Sequence, residues 1–167
     1  MKVLAIDQST KASGICLFED NKLVKYAVLT ETSTQPLKRI INIVDRIEKI
    51  YDEYQPDVVV VEDVLPEETH NIKTLHTLLY LLGAIKLMIY RKGKEVEVMV
   101  ASHWRKICGI KVGRGVKREE LKAQSMAFVK EKFGLDVIDD IADSICIGYA
   151  FLNQNAIVDT VTDFEII

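Results

Sequence analysis

The sequence predicts an α/β fold built on a five-stranded mixed sheet, the first three strands antiparallel, with helices on both faces. Three observations predict it. Two short runs, Val3 to Ile6 and Val58 to Val61, are continuously apolar, as strands buried on both faces are. A pattern of short and alternating strands follows the first run, as in antiparallel hairpins. Longer stretches with apolar residues at helical spacing separate and follow the later strands, which suits helices packed on a sheet.

The first strand spans residues 2–7 and ends on Asp7. Ser9, Thr10, Ser13 and Gly14 turn the chain back, and residues 13–18 and 22–29 read as two further strands around Glu19, Asp20 and Asn21. In the second of these, Val24, Tyr26 and Val28 alternate with Lys25 and Ala27, the pattern of a half-buried strand. Pro36 suits the first turn of a helix. Leu37, Ile40, Ile41, Val44, Ile47, Ile50, Tyr51 and Tyr54 then recur at helical spacing as far as Pro56. Residues 57–62 form the second buried strand, which ends on Glu62. After a loop containing Pro66, Glu67, Glu68 and His70 comes an apolar helix over residues 72–90, closed by Arg91, Lys92 and Gly93. Val96, Val98 and Val100 alternate in a fifth strand, residues 95–101, and Ser102 is placed to cap a short helix to Cys108. A loop over 109–117 leads to a helix over 118–133, stopped by Gly134, and a last helix runs from Asp139 to about Asn153. Residues 1–154 are read as one domain and 155–167 as an unassigned tail.

The 167 residues are 49% hydrophobic, enough for one domain with a full core. A net charge of −3 gives no global basic signature, so a nucleic-acid site must be a local patch. Cys16, Cys108 and Cys146 lie far apart and read as reduced packing thiols of a cytosolic protein, not as zinc ligands or disulfides. The longest apolar stretch, residues 78–89, is interrupted by Lys86 and reads as too short to span a bilayer.

The chemistry lies in the acids. Alone, Asp7 reads equally well as a turn cap. Yet Glu62 ends the other buried strand, and parallel neighbours would bring both carboxylates to one edge of the sheet, where open α/β sheets bind ligands. Asp140 and Asp143 share one face of the last helix at its first turn. With Asp139 they also read as charges favoured at a helix N-terminus. That alternative leaves unexplained two buried strands that each end in an acid. Carboxylates gathered in one place stay ionised only with cations between them. The donors are hard oxygens with no Cys or His cluster beside them, which points to Mg²⁺ or Mn²⁺. Two such ions about 4 Å apart would activate water and stabilise the leaving oxygen of a phosphodiester.

Together these residues resemble the RuvC family of Holliday-junction resolvases, within the ribonuclease H-like superfamily, and especially its short phage and low-GC bacterial members. The likeness runs from Lys2 to about Leu152. Its first motif resembles Asp7 to Gly14, with Gln8 and Ser9 where many cellular members have Pro-Gly. The second resembles Val59 to Asp63, with Asn71, Thr74 and Gly83 also in family-like places, and the last resembles Asp140 to Ser144. The resemblance implies that Asp7, Glu62, Asp140 and Asp143 are metal-binding catalytic acids, with Asp7 shared by two Mg²⁺ ions. It implies a nuclease that leaves 5′-phosphate and 3′-hydroxyl ends, working in a bacterial or phage-infected cytoplasm.

The resemblance also gives the basic segment a role. Arg105, Lys106, Lys111, Arg114, Lys117, Arg118 and Lys122 stand against only Glu119 and Glu120, a local surface suited to DNA phosphates. Gly109, Gly113 and Gly115 would permit close backbone approach. Lys122 resembles a family lysine near the active site and would neutralise charge on the phosphate in the transition state. The helix over residues 72–90 is apolar over more than one face, and the resemblance implies a homodimer through it that presents two sites to branched DNA. His70 and His76 read as polar contacts near the junction. Two other readings stay open: a nuclease of the same superfamily acting on structured RNA, and a non-catalytic binder of branched nucleic acid.

Overall fold

The computed structural model describes residues 1–66 and 71–158, with side chains as far as Gln154. Strands β1 (Lys2–Asp7), β2 (Ala12–Glu19) and β3 (Lys22–Thr30) are followed by helix α1 (Pro36–Tyr54) and strand β4 (Val58–Glu62). Helix α2 (Ile72–Arg91), strand β5 (Val96–Met99) and helices α3 (Ala101–Ile107), α4 (Arg118–Phe133) and α5 (Asp139–Val158) complete the chain. The sheet order is β3-β2-β1-β4-β5. β1 pairs antiparallel with β2 and parallel with β4, and β4 pairs parallel with β5. The two continuously apolar strands therefore lie inside the sheet, as doubly covered strands must.

Alternation along these strands divides the core into two layers. Val3, Ala5, Cys16, Phe18 and Val60 face one way and pack with Trp104, Val129 and the buried side of α5. Leu4, Ile6, Ile15, Leu17, Val59 and Val61 face the other way, onto Ile43 and Ile47 of α1 and Leu81, Ile85 and Ile89 of α2.

The expected elements form, with local differences. Ser13 and Gly14 are not turn residues but belong to β2, where Gly14 pairs with Asp7. Val24 and Tyr26 are exposed because β3 is the edge strand. In β5, the opposite edge, Val98 is exposed and Met99 is buried, so the valine alternation does not mark the buried side. On α1 the buried stripe is Ile40, Ile43, Ile47 and Tyr51, while Leu37 and Ile41 are exposed. Helix α3 begins one residue before Ser102, with Val100 at its N-cap and no side-chain cap. α5 continues to Val158, so the boundary placed at residue 154 falls inside a helix, and residues 159–167 lie outside the described residues.

α2 buries Leu81, Leu82, Ile85, Met88 and Ile89, whereas Leu79 is exposed. The helix is long and apolar enough by composition to cross a membrane, contrary to the reading of a shorter stretch. In the fold that apolarity serves two sides. One side covers the sheet, and the other carries Ile72, Leu79, Tyr80, Leu87 and Tyr90 into solvent.

Candidate active site

The alternation that builds the core also aims the acids. Asp7 follows Val3 and Ala5 at every second position, and Glu62 follows Val60, so both carboxylates leave the sheet on the side covered by α5. Ala5 pairs with Val60 and Ile6 with Val61, and this parallel register continues to set Asp7 beside Glu62. α5 crosses this side of the sheet with Asp140 and Asp143 in its first turns. All four acids line one open cleft of about 880 Å³.

The turn after β1 is held by its own hydroxyls. Ser13 Oγ donates to the Ser9 carbonyl and accepts from the Ser9 N–H, while Ser9 Oγ accepts from the N–H groups of Lys11 and Ala12. Gln8, in the place of the family-like Pro, is buried and donates from Nε2 to the Glu62 carbonyl at 3.3 Å, tying the ends of β1 and β4 together. Behind the cleft, Trp104 Nε1 donates to Glu62 Oε1 at 2.9 Å.

Burial and mutual repulsion govern the charge state. Burial pushes the Asp7 carboxyl well above the usual range, and the negative charges of Glu62, Asp143 and Asp140 push the same way. A hydrogen bond with Glu62 pushes Asp7 the same way. Asp143 is pushed up to about 6, mainly by burial, against the opposing effects of Ser125 and Arg105. Asp140 is raised by burial and by Asp139. The cleft is therefore short of positive charge at its acidic centre.

A hard divalent cation fits this deficit. Asp143 Oδ1 is buried and has no hydrogen-bond donor among the described residues, and Asp7 lies half-buried among three other acids. Among the described residues, no three His, Cys, Asp or Glu side chains form a group that could hold a metal ion as they stand. The acids share a cleft lined with oxygen donors, and Asp7, Glu62, Asp140 and Asp143 are the groups that would hold such an ion.

The basic residues separate into two groups. Arg105, Arg118 and Lys122 line the cleft; Lys106, Lys111, Arg114 and Lys117 are exposed beyond it. Arg105 is half-buried, stacked with its guanidinium carbon 4.8 Å from the centre of the Trp104 ring. Lys122 Nζ is paired with Asp139, which raises the lysine and lowers the acid. Lys11, Arg39 and Lys73 also line the cleft, from the β1–β2 turn and from α1 and α2. Sequence reasoning missed them, since nothing in their local spacing marks a shared site. Gln8 and Trp104 were missed as partners of Glu62 for the same reason. His76 lies exposed on α2, and His70 falls outside the described residues.

With this geometry, comparison with known proteins is specific. The family model described as crossover junction endodeoxyribonuclease RuvC matches residues 3–150. The crossover junction endodeoxyribonuclease RuvC of Dictyoglomus thermophilum is 30% identical over 164 residues, covering 92% of this chain and 99% of that one. Its counterpart in Fusobacterium nucleatum is 29% identical over 162 residues, covering 92% and 81%. Among solved structures, T. thermophilus RuvC in complex with a Holliday junction substrate matches with a TM-score of 0.73 at 16% identity, over 94% of this chain and 96% of that one. The yeast mitochondrial Holliday junction resolvase matches with a TM-score of 0.55 at 16% identity, over 95% and 82%. These two likenesses are of fold. Taken with the match of the family model along nearly the whole chain, they leave one conclusion: this chain belongs to the RuvC family of crossover junction endodeoxyribonucleases.

Proposed function

We propose that this protein cuts four-way DNA junctions as a homodimer, hydrolysing a phosphodiester near the branch point with Mg²⁺ or Mn²⁺ and leaving 5′-phosphate and 3′-hydroxyl ends. One observation carries the reading: four acids from β1, β4 and α5 line a single cleft that is also lined by Arg105, Arg118, Lys122, Lys11, Arg39 and Lys73. An acidic centre with a cationic surround is the charge pattern of a site that binds a polyanion and cleaves it. The curated relatives bear the name of junction endonucleases, and the solved relative from T. thermophilus is bound to a Holliday junction.

Asp7, Glu62, Asp140 and Asp143 are the residues that would hold the divalent cations. Bound cations supply an activated water and charge stabilisation for the leaving oxygen. The protein's own part is to bind and orient. Arg118 and Lys122 face the phosphate from α4, and Lys11, Arg39 and Lys73 hold the strand from the other side. Burial raises Asp7 and Asp143, so protons compete with the ion for these carboxylates and affinity rises with pH.

The exposed stripe of α2 supports the dimer. Ile72, Leu79, Tyr80, Leu87 and Tyr90 recur along one side of the helix, with Gly83 among them and open space over it. A second copy packed there would remove these apolar groups from water, and Gly83 would let two helices approach closely. The bacterial relatives fit a site of action in the bacterial cytoplasm.

Labelled four-way junction, fork, linear duplex and structured RNA, each with and without Mg²⁺, test the proposal. Mg²⁺-dependent nicking of the junction well above the linear duplex is expected. Equal cutting of all DNA forms, or preference for RNA, would overturn it.

A further inference from the structure

Trp104 of α3 braces an acid that arrives from β4. Trp104 is fully buried, and its Nε1–H donates to Glu62 Oε1 at 2.9 Å. The face of the same indole carries Arg105, whose charge acts on Asp143. Trp104 itself does not line the cleft, so it touches the site only through these two neighbours. Its bond to Glu62 comes from a rigid ring locked in the core beside β4, not from a mobile surface side chain.

We infer that Trp104 is a positioning residue for cation binding: its indole N–H holds one Glu62 oxygen in place so that the carboxylate meets the divalent ion in a single orientation. This rests on the proposed cation-dependent reading of the cleft. A carboxylate that ligates a metal is commonly held by an outer hydrogen bond, and loss of such a partner costs roughly 10- to 100-fold in metal affinity. Phe would keep most of the packing at position 104 and remove only the donor. Trp104 is also the only tryptophan in the chain, so its fluorescence reports the surroundings of this one indole.

The test has two arms on the full-length protein. In the first, junction cleavage is measured against Mg²⁺ concentration for the wild type and Trp104→Phe. The variant should need about 10- to 100-fold more Mg²⁺ for half-maximal rate. Excess Mg²⁺ should recover most of the rate, a split that general unfolding would not produce. In the second arm, tryptophan emission is followed while Mg²⁺ is added without DNA. The wild type should show a saturable change, and Glu62→Gln should lose it. An unchanged Mg²⁺ requirement in Trp104→Phe overturns the positioning role; if that variant does not fold, a wild-type emission indifferent to Mg²⁺ does so. The underlying reading fails separately, and visibly, if Asp7→Asn and Glu62→Gln cut junctions at the wild-type rate.

Discussion

A Cβ placed on Gly14 would overlap the backbone carbonyl oxygen of Asp140. Gly14 is the β2 partner of Asp7, so the first turn of α5 rests on the strand directly beside the first catalytic candidate. The missing side chain is what lets Asp140 and Asp143 come down to the level of Asp7. Gly14→Ala should push the start of α5 outward. Overpacking of this kind costs about 1–3 kcal/mol. A shift of about 1 Å at reacting groups lowers rate by about a hundredfold. Thermal melting and junction cleavage measured together check both, and a variant that cuts at the wild-type rate would disprove the link.

Asp7→Asn should keep the fold and the affinity for junctions while lowering cleavage by at least about a hundredfold, the scale on which one catalytic group contributes. Gel-shift and cleavage assays on the same preparation separate binding from chemistry.

The acids also set a pH dependence of stability without metal. Asp143 stands at about 6 in the folded state against 3.8 as its ordinary value. A raised carboxyl binds its proton more tightly when folded, so its contribution is complete below about pH 4 and is lost as pH rises through about 6. The loss is on the order of 3 kcal/mol, or roughly 6–12 °C in melting temperature. Asp143→Asn should show a shallower decline between pH 4 and 6, since the raised Asp7 and Asp140 still contribute. Mg²⁺ should stabilise the wild type more at pH 7 than at pH 5. Melting curves across pH, with chelator or Mg²⁺, provide the measurement.

Arg118 and Lys122 line the cleft from one helix but differ in their partners, since Lys122 is paired with Asp139. Each alanine variant should weaken junction binding and reduce the dependence of log Kd on log salt by about one phosphate contact. Asp139→Asn should strengthen binding, because it releases the Lys122 charge to the DNA. Salt titrations of binding with the catalytically impaired Asp7→Asn protein would show it.

Tyr80 is 66% exposed and lies on the unpaired stripe of α2. Tyr80→Glu should leave the monomer folded and shift the protein from dimer to monomer in sedimentation or light scattering. A charge at that position disturbs nothing in the monomer core but is costly inside an apolar interface.

The sequence by itself determined the element order, the central place of β1 and β4, and the strand-end positions of Asp7 and Glu62. These are local matters: a continuous apolar run, an alternation or a helical spacing is written within a few neighbouring residues. Asp140 and Asp143 were likewise visible as a pair on one helix turn. Only the tertiary structure decided which side of the sheet the acids face, that α5 meets them there through Gly14, and that Trp104, 42 residues beyond Glu62, donates to it. It also decided that Lys11, Arg39 and Lys73 share the cleft while four of the seven expected basic residues stay outside it. Such pairings depend on how distant segments pack, and no local periodicity carries that information.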